Sequence, residues 1–299
     1  MKQLPPTGRW IAFVAVLSAC SSEDNAPSQN LAAVPNVVSL TATEYAFQAP
    51  DTIPAGWTTL RMANRGQEIH YGHIVRLDPG KTVQELVEAY AEAIRTSGPR
   101  PKWVTRFGGP GGAFPGDSSS VTQYLEPGSY VWICPIEDNS GTPHFSKGEF
   151  KPFVIRAGDG VVAESAARPE ASLVVRLMDF SFALDSVVPA GRHTVRVENA
   201  GMEPHDLVVL KLAPGTTVAD LMAVMNPERA RRPGQAAEPP PPPESLPTGA
   251  GGIAAIAPGM ESFFEANLSP GEYVLVCMAT APDGRSHIEH GMIKQIRIH

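Results

Sequence analysis

Short stretches in which hydrophobic and polar residues alternate recur along the chain and predict β-strands. These stretches are rich in β-branched residues, which favour a half-buried strand over a helix. The 30 prolines and 27 glycines among 299 residues supply turn signals between them. The clearest stretches are residues 38–42, 58–62, 73–77, 173–177, 193–197 and 207–212. The pattern therefore predicts an all-β fold.

Each half of the chain also contains a stretch with the spacing of an amphipathic helix. In the first half, apolar residues recur at helical spacing from 83 to 94, behind a capping box formed by Thr82 and Glu85. In the second half, Thr217 and Asp220 precede a similar stretch. We expect one helix in each half, with an apolar face that caps the β core.

The two halves are copies of one another. His70 aligns with His205 and, at a larger offset, Cys134 aligns with Cys277. The additional residues of the second copy lie between about 218 and 250, where the proline run 239–243 predicts a stiff surface loop. The alignment predicts two homologous domains, 36–157 and 170–299, joined by a linker at 158–169.

The first residues predict export and a lipid anchor. Lys2 and Arg9 precede an apolar run at 10–17 that is too short to span a bilayer. The run ends at Cys20 in a pattern that resembles a bacterial lipobox. That resemblance implies a signal peptide at 1–19, a lipidated Cys20 and a polar tether at 20–35. We expect a membrane-anchored protein of the cell envelope, on the outer membrane facing the periplasm if two membranes exist, otherwise on the outer face of the plasma membrane.

Charge and cysteine content narrow the range of partners. The 24 basic and 31 acidic residues give a formal net charge of −7, and no long basic run occurs, so we expect no nucleic-acid partner. If Cys20 carries lipid, one cysteine remains in each repeat. A disulfide between equivalent positions of two domains is geometrically awkward. Cys134 and Cys277 are therefore predicted to be either buried thiols or metal ligands.

The residues around these cysteines carry the candidate chemistry. Each cysteine follows a predicted strand, and a histidine follows it at the same spacing, His144 in the first repeat and His287 in the second. Farther on, the repeats differ, with Glu149 in one and Met292 in the other. Thiolate, imidazole and thioether are ligand types that suit copper.

Each repeat resembles a cupredoxin, the Greek-key β-sandwich of blue copper proteins. The matching residues are a turn ending in a histidine, a strand ending in a cysteine, and a later histidine and methionine. The resemblance implies a type-1 copper site in the second repeat, with an axial methionine. In the first repeat a carboxylate replaces that methionine, which implies a degenerate or modified site and leaves a second copper open. The implied ligands are His205, Cys277, His287 and Met292 in the second repeat, and His70, Cys134, His144 and Glu149 in the first.

The leading functional prediction is a copper-binding protein that transfers single electrons or stores and delivers copper, with a redox or copper-delivery protein as its partner. The first alternative is a metal-free interaction or scaffold module, and the second is a copper-dependent oxidoreductase. The chain has no His-x-His pair and no histidine beside either repeat cysteine, which favours an electron carrier or binding protein over an enzyme. We further expect His73 and His290 in exposed loops, and the glycine-rich segments 108–112 and 249–252 as flexible connections near the site mouth.

Overall fold

Alternating burial along the strands matches the pattern that predicted them. The structure is a computed structural model that describes residues 1, 35–96, 98–138, 140–157, 167–185, 187–225 and 246–299. The predicted lipidation site Cys20, nearly all of the leader and tether, most of the linker and the proline run lie outside the described residues, so the domain boundaries stay a prediction. Residues Ala32–His299 form one compact unit. Among the described helices, none is long and apolar enough to cross a membrane.

The elements of the two repeats follow the same order. In the first repeat the described strands are β1 (Asn36–Thr43), β2 (Ala46–Gln48), β3 (Thr52–Pro54), β4 (Gly56–Asn64), β5 (His73–Leu77), β6 (Val104–Arg106), β7 (Ser118–Leu125), β8 (Gly128–Ile133) and β9 (Phe150–Arg156), with helix α1 (Val83–Arg95) after β5. In the second they are β10 (Leu173–Met178), β11 (Ser181–Ala183), β12 (Gly191–Asn199), β13 (His205–Lys211), β14 (Thr248–Ile256), β15 (Glu261–Leu268), β16 (Gly271–Val276) and β17 (Ile293–Ile298), with helix α2 (Val218–Met225) after β13.

Each repeat is built from two sheets. In the first repeat their strand orders are β2-β1-β4-β7 and β3-β9-β8-β5-β6. In the second they are β11-β10-β12-β15 and β14-β13-β16-β17. Strands β1 and β4, and likewise β10 and β12, pair in parallel, so the chain crosses between sheets as a Greek-key sandwich does. The predicted fold class, all-β with tandem sandwiches and one helix in each, is confirmed.

Buried apolar side chains fill the space between the facing sheets. Leu40 and Trp132 come from the two sheets of the first repeat, and Leu177 and Leu275 from those of the second. All four belong to one cluster of buried residues that runs through both repeats. Burying this apolar surface is the main favourable contribution to folding.

The helices pack on the outer face of a sheet. Leu86 and Tyr90 of α1 belong to one buried cluster with Val131 of β8, whereas the neighbouring Trp132 belongs to the cluster inside the sandwich. In the same way Leu221 of α2 joins the residues of β16 that face away from the sandwich. Each helix therefore covers the outside of one sheet and does not close the space between two, which differs from the expected capping of the β core.

Both predicted capping boxes are present at the helix N-termini. The Glu85 backbone N–H donates to Thr82 Oγ1 at 3.2 Å, and the Glu85 carboxylate accepts from the Thr82 backbone N–H. Thr217 and Asp220 make the same reciprocal pair at α2. These bonds satisfy backbone donors that a helix cannot satisfy internally, so they fix where each helix begins.

The two repeats are joined in both layers. Strand β7 pairs with β15, which makes one eight-stranded sheet. In the other layer Gly108 N donates to Ala255 O at 2.9 Å, and Ala254 N donates to Gly109 O at 3.0 Å. The first glycine-rich segment thus contacts β14, which contains the second, and Gly251 and Gly252 of the second pair with β13. The prediction of flexible connections at a site mouth is wrong, because both backbones are held by ordered hydrogen bonds.

Candidate metal centres

Four elements position the candidate ligands of the second repeat. His205 begins β13, Cys277 directly follows β16, and Met292 directly precedes β17. His287 begins a short 3₁₀ helix that ends at Gly291, whose φ of 93° suits a glycine. Cys277 N donates to Met292 O at 3.2 Å, and Met292 N donates to His287 O at 2.9 Å. These backbone bonds hold three of the four residues together before any side chain is considered.

The side chains of this second-repeat site converge on one point. His205 Nδ1 lies 2.9 Å from His287 Nδ1. Cys277 Sγ lies 3.4 Å from His287 Nδ1 and 3.8 Å from His205 Nδ1. All three residues, and Met292 with them, are fully buried. The structure therefore brings together the three predicted equatorial ligands and places the predicted axial residue in the same buried region.

Carboxylates outside the site fix the orientation of both imidazole rings. His205 Nε2 lies 3.0 Å from Asp179 Oδ1, and His287 Nε2 lies 3.0 Å from Glu203 Oε2. An ionised carboxylate only accepts hydrogen bonds, so each Nε2 carries the proton and each Nδ1 presents a lone pair to the centre. Hydrogen-bonded partners of this kind orient histidine ligands and raise their basicity.

The electrostatics of the centre favour a bound cation. Burial lowers the pKa of His287 to about 4, and burial also lowers the pKa of His205, so both rings are neutral at neutral pH. Two neutral rings would then point lone pairs at one another across 2.9 Å, which is repulsive unless a positive charge lies between them. The residues present therefore fit a metal ion, and their donor types suit copper.

The cysteine has a backbone donor beside it. Asp206 N–H donates to Cys277 Sγ at 3.4 Å, and the Asp206 carboxylate accepts from Met278 N at 2.7 Å. Burial raises the pKa of Asp206 to about 6, and burial also raises the pKa of the Cys277 thiol. A metal ion would replace the thiol proton, and the backbone N–H would then donate to the thiolate.

The first repeat reproduces the same backbone arrangement. Cys134 directly follows β8, His144 begins a 3₁₀ helix, and Glu149 directly precedes β9. Cys134 N donates to Glu149 O at 3.2 Å, and Glu149 N donates to His144 O at 3.0 Å. Tyr71 N–H donates to Cys134 Sγ at 3.3 Å, as Asp206 N–H does in the second repeat. The two sites thus share one framework of hydrogen bonds.

The centre of this first-repeat site holds a carboxylate. Glu149 Oε1 lies 2.8 Å from His70 Nδ1, and Glu149 Oε2 lies 3.0 Å from His144 Nδ1. Cys134 Sγ lies 3.5 Å from His144 Nδ1. Outer carboxylates again face the far nitrogens, Glu44 at 3.4 Å from His70 Nε2 and Glu68 at 2.7 Å from His144 Nε2. All four predicted residues of this repeat are therefore brought together.

Charge in the first-repeat site differs accordingly. Burial alone would lower the pKa of His70, but the hydrogen bonds and negative charges of Glu149 and Glu44 outweigh it and raise the pKa. His205, its counterpart, faces no central carboxylate and has a lowered pKa. In the part of the chain that the structure describes, two groups of histidine, cysteine, aspartate or glutamate side chains have donor atoms close enough together to hold a metal ion, and one group lies in each repeat. Both cysteines are buried and unpaired.

Two nearby histidines stand apart from the ligand groups. His73 is buried at the start of β5, where its Nε2 lies 3.2 Å from Ala255 O of the other repeat, and burial lowers its pKa to about 3. His290 stacks on Phe180 at a centroid distance of 4.6 Å and pairs with Asp283. The expectation of two exposed loop positions is wrong, because both rings pack against other parts of the fold.

The outer carboxylates are functional candidates that the sequence analysis missed. Glu44 and Asp179 occupy equivalent positions in the repeats, as do Glu68 and Glu203. The repeat alignment contained this signal, since an acidic residue appears at both positions in both copies. The proximity of Glu44 and Asp179 to the histidines could not be inferred, because these residues lie on the turns that join β1 to β2 and β10 to β11, far from the histidines in the sequence.

Comparison with known proteins gives structural neighbours only. No protein-family model matches the chain, and no curated protein matches it in sequence. Among solved structures, it is similar to dithionite-reduced auracyanin from Roseiflexus castenholzii, at 19% identity and a TM-score of 0.28, over 42% of this chain and 94% of auracyanin. It is also similar to the copper-containing nitrite reductase of Thermus scotoductus, at 12% identity and a TM-score of 0.24, over 89% of this chain and 62% of the reductase. A blue copper oxidase from Nitrosomonas europaea matches at 13% identity and a TM-score of 0.24, over 89% of this chain and 86% of the oxidase.

Proposed function

We propose that the second repeat binds one copper ion through His205, Cys277 and His287, with Met292 as a weak fourth ligand, and that the protein transfers single electrons. One observation carries the proposal. The two Nδ1 atoms lie 2.9 Å apart while each Nε2 faces a carboxylate at 3.0 Å, so both lone pairs are aimed at the same point beside a thiol. Soft sulfur with imidazole is a donor set that accommodates both cuprous and cupric ions.

The surrounding residues favour electron transfer over delivery of the metal. The bound copper would supply a one-electron step by alternating between its two oxidation states. Asp179 and Glu203 hold the rings, and the Asp206 N–H holds the sulfur, so little would need to move when the charge changes. The complete burial of the ligand side chains excludes water from the site. A storage or delivery site, in contrast, must release its ion to a partner, and buried ligands on a hydrogen-bonded frame oppose release.

Copper content of matched variants tests this proposal. The purified full chain would be reduced, incubated with excess Cu(I) under a competing chelator, desalted and assayed for copper. We expect Cys277→Ser to lose the copper of the second repeat, because the thiolate is its strongest ligand, and Cys134→Ser to retain it. A Cys277→Ser chain that holds as much copper as the unsubstituted chain would contradict the proposal. No copper in either variant, with native circular dichroism, would favour the metal-free interaction module.

Turnover distinguishes the electron carrier from the copper-dependent oxidoreductase. The copper-loaded chain should exchange electrons with a small redox mediator, and it should reduce neither oxygen nor nitrite faster than free copper does. Stopped-flow absorption would follow the first reaction, and oxygen and nitrite consumption the second. Catalytic turnover that Cys277→Ser abolishes would overturn the electron-carrier proposal in favour of the enzyme.

We also propose that the protein is anchored in the cell envelope through Cys20 and meets a redox protein partner there. This rests on the lipobox resemblance alone. Several acyl chains at about 0.8 kcal/mol per buried CH₂ would hold the chain at a membrane. Cys20→Ala should move the expressed protein from the membrane fraction into the soluble fraction. A variant that stays with the membrane to the wild-type extent would contradict the anchor.

A further inference from the structure

We propose that the first repeat holds a divalent metal ion in a closed site formed by His70, Cys134, His144 and Glu149, so that the two repeats bind metal ions of different charge. Zinc(II) and copper(II) share the required chemistry, and the experiment below distinguishes them. The inference uses no residue of the copper site proposed above, and therefore stands or fails separately from it.

The first-repeat site offers four donor atoms to a metal ion. The ligand atoms of the four residues all lie within 4.8 Å of one another. They comprise two imidazole nitrogens, one sulfur and one carboxylate oxygen, and all four residues are fully buried. Four protein ligands are the number found in closed, structural zinc sites, and cysteine, histidine and carboxylate groups all bind zinc. The second repeat contributes only three such donors and a thioether.

Glu149 places its carboxylate beside both central imidazole nitrogens. Its Oε2 lies 2.9 Å from His70 Nδ1 and 3.0 Å from His144 Nδ1, and its Oε1 lies 2.8 Å from His70 Nδ1. A buried carboxylate is costly without positive charge beside it, so a metal ion held by these same donor atoms would stabilise it.

The charge of the ligands in the first-repeat site favours a divalent ion. A metal ion bound here would face two anionic ligands, the Cys134 thiolate and the Glu149 carboxylate, so a divalent ion gives a neutral centre. A cuprous ion would leave one uncompensated negative charge in a fully buried site, which is unfavourable. In the second repeat the thiolate is the one anionic ligand, because Met292 is neutral, so a cuprous ion gives the neutral centre there. Glu149 therefore favours an ion of one unit higher positive charge than Met292 does at the equivalent position.

The outer carboxylates do not distinguish the two sites. Glu44 and Glu68 lie 3.4 Å and 2.7 Å from the far nitrogens of His70 and His144. Their counterparts Asp179 and Glu203 do the same in the second repeat, so the outer shell is matched between the sites. The two centres therefore differ in the charge of one residue, which is Glu149 in the first repeat and Met292 in the second.

Metal competition in a variant with one site left tests the inference. Cys277→Ser removes a ligand of the second repeat, and the purified full-length variant would be equilibrated with Zn²⁺ and with Cu⁺ under buffering chelators. We expect it to retain one Zn²⁺ per chain after desalting, with a zinc-dependent rise in thermal unfolding temperature. Glu149→Met should lower the ratio of Zn²⁺ to Cu⁺ affinity by at least about 100-fold, because one ligand charge is lost.

A second variant and a second competing metal ion complete the experiment. Glu149→Gln keeps the size of the side chain and removes its charge, so it should weaken Zn²⁺ binding even if Glu149→Met fails to fold. Cu²⁺ competition against Zn²⁺, followed by visible absorption from a copper–thiolate bond, identifies which divalent ion the site prefers. Failure of the Cys277→Ser variant to retain any divalent ion, or an unchanged affinity ratio in both Glu149 variants, would overturn the inference. Neither result would bear on copper in the second repeat.

Discussion

The two metal centres differ far less in framework than in charge. Both have a cysteine after a strand, a histidine that begins a 3₁₀ helix, a backbone N–H donated to sulfur, and carboxylates on the outer nitrogens of the histidines. Where the second repeat has Met292, the first has Glu149, whose carboxylate lies 2.8 Å and 3.0 Å from the two Nδ1 atoms. One side chain on a duplicated framework therefore changes the charge of the ligand set, which gains one carboxylate in the first repeat where the second has a neutral thioether.

Replacement of Met292 by glutamate should have the largest effect on the charge difference between the two centres. Met292→Glu places a second anionic ligand in the copper site proposed for the second repeat. A unit charge at ligand distance is worth about 4 kcal/mol at an effective dielectric constant near 20, so the cupric state should gain strongly over the cuprous state. Because a tenfold change corresponds to about 59 mV for one electron, the reduction potential should fall by more than about 100 mV. Protein-film voltammetry would measure it, with Met278→Glu, which adds the same charge at a partly exposed position, as control.

An unchanged potential in Met292→Glu, with copper still bound, would show that the residue at this position does not set the difference between the repeats. It would also remove the charge argument for a divalent ion in the first repeat. A fall of similar size in the Met278 control would attribute the effect to net charge and not to the ligand position.

Equivalent glycines at the contact between repeats provide the next comparison. Gly109 and Gly252 have positive φ values of 106° and 144°, and a Cβ at either would lie 2.1 Å from a backbone oxygen, that of Gly72 or of Leu207. Gly109→Ala and Gly252→Ala should each lower the free energy of unfolding by about 3 kcal/mol, through backbone strain and overpacking. Chemical denaturation would measure both.

The matched control is Gly215→Ala, which has a φ of 82° but nothing within 4 Å of the added Cβ. It should cost only about 1 kcal/mol, from the left-handed backbone. A loss as small as this control at Gly109 or Gly252 would mean that the neighbouring backbone at Gly72 or Leu207 moves away from the added Cβ at little cost.

Removal of the outer carboxylates should have a smaller effect, confined to one repeat. Asp179→Asn and Glu203→Gln remove the acceptors that hold His205 and His287, and each should weaken copper binding by about 10- to 100-fold. Glu68→Gln, the counterpart of Glu203→Gln, should leave the copper affinity of the second repeat unchanged. Chelator competition on the Cys134→Ser chain would give the affinities. Equal losses from Glu68→Gln and Glu203→Gln would show that the sites are not independent.

The helix caps should show the smallest difference. Thr82→Ala and Thr217→Ala each remove one side-chain acceptor at a helix N-terminus, so each should cost about 1 kcal/mol of unfolding free energy. Thermal unfolding of the two variants, beside Thr43→Ala at the end of strand β1, would test this. A loss at one helix only would indicate that one of the two capping boxes does not contribute in solution.

Local patterns in the sequence predicted the features that depend on near neighbours. Alternation located the strands, capping boxes located both helices, and the internal repeat paired each candidate ligand of one half with its counterpart in the other. The all-β class could be predicted because the side chains of a strand alternate between its two faces, and this alternation is visible in consecutive residues. The grouping of His205, Cys277 and His287 could be proposed because a known family carries the same motif.

Features that depend on contacts between distant segments were missed. The sequence places Asp179 well before His205, and only the paired strands bring the carboxylate to 3.0 Å from the ring. The glycine-rich segments were predicted to be flexible. A backbone without side chains can also approach another backbone closely, as Gly109 does at Gly72. His73 appeared to be an exposed histidine, although its acceptor lies on the other repeat. Such contacts leave no periodic signal.

Copper ligation by the second repeat is tested most directly by the visible absorption and electron paramagnetic resonance spectrum of the Cys134→Ser chain loaded with Cu(II), with the Cys134→Ser/Cys277→Ser double variant measured beside it. We expect an intense thiolate-to-copper absorption band and a narrow copper hyperfine splitting in Cys134→Ser, and the loss of both in the double variant. A Cys134→Ser chain that is folded but colourless after loading, or a band that survives in the double variant, would contradict copper ligation by the second repeat.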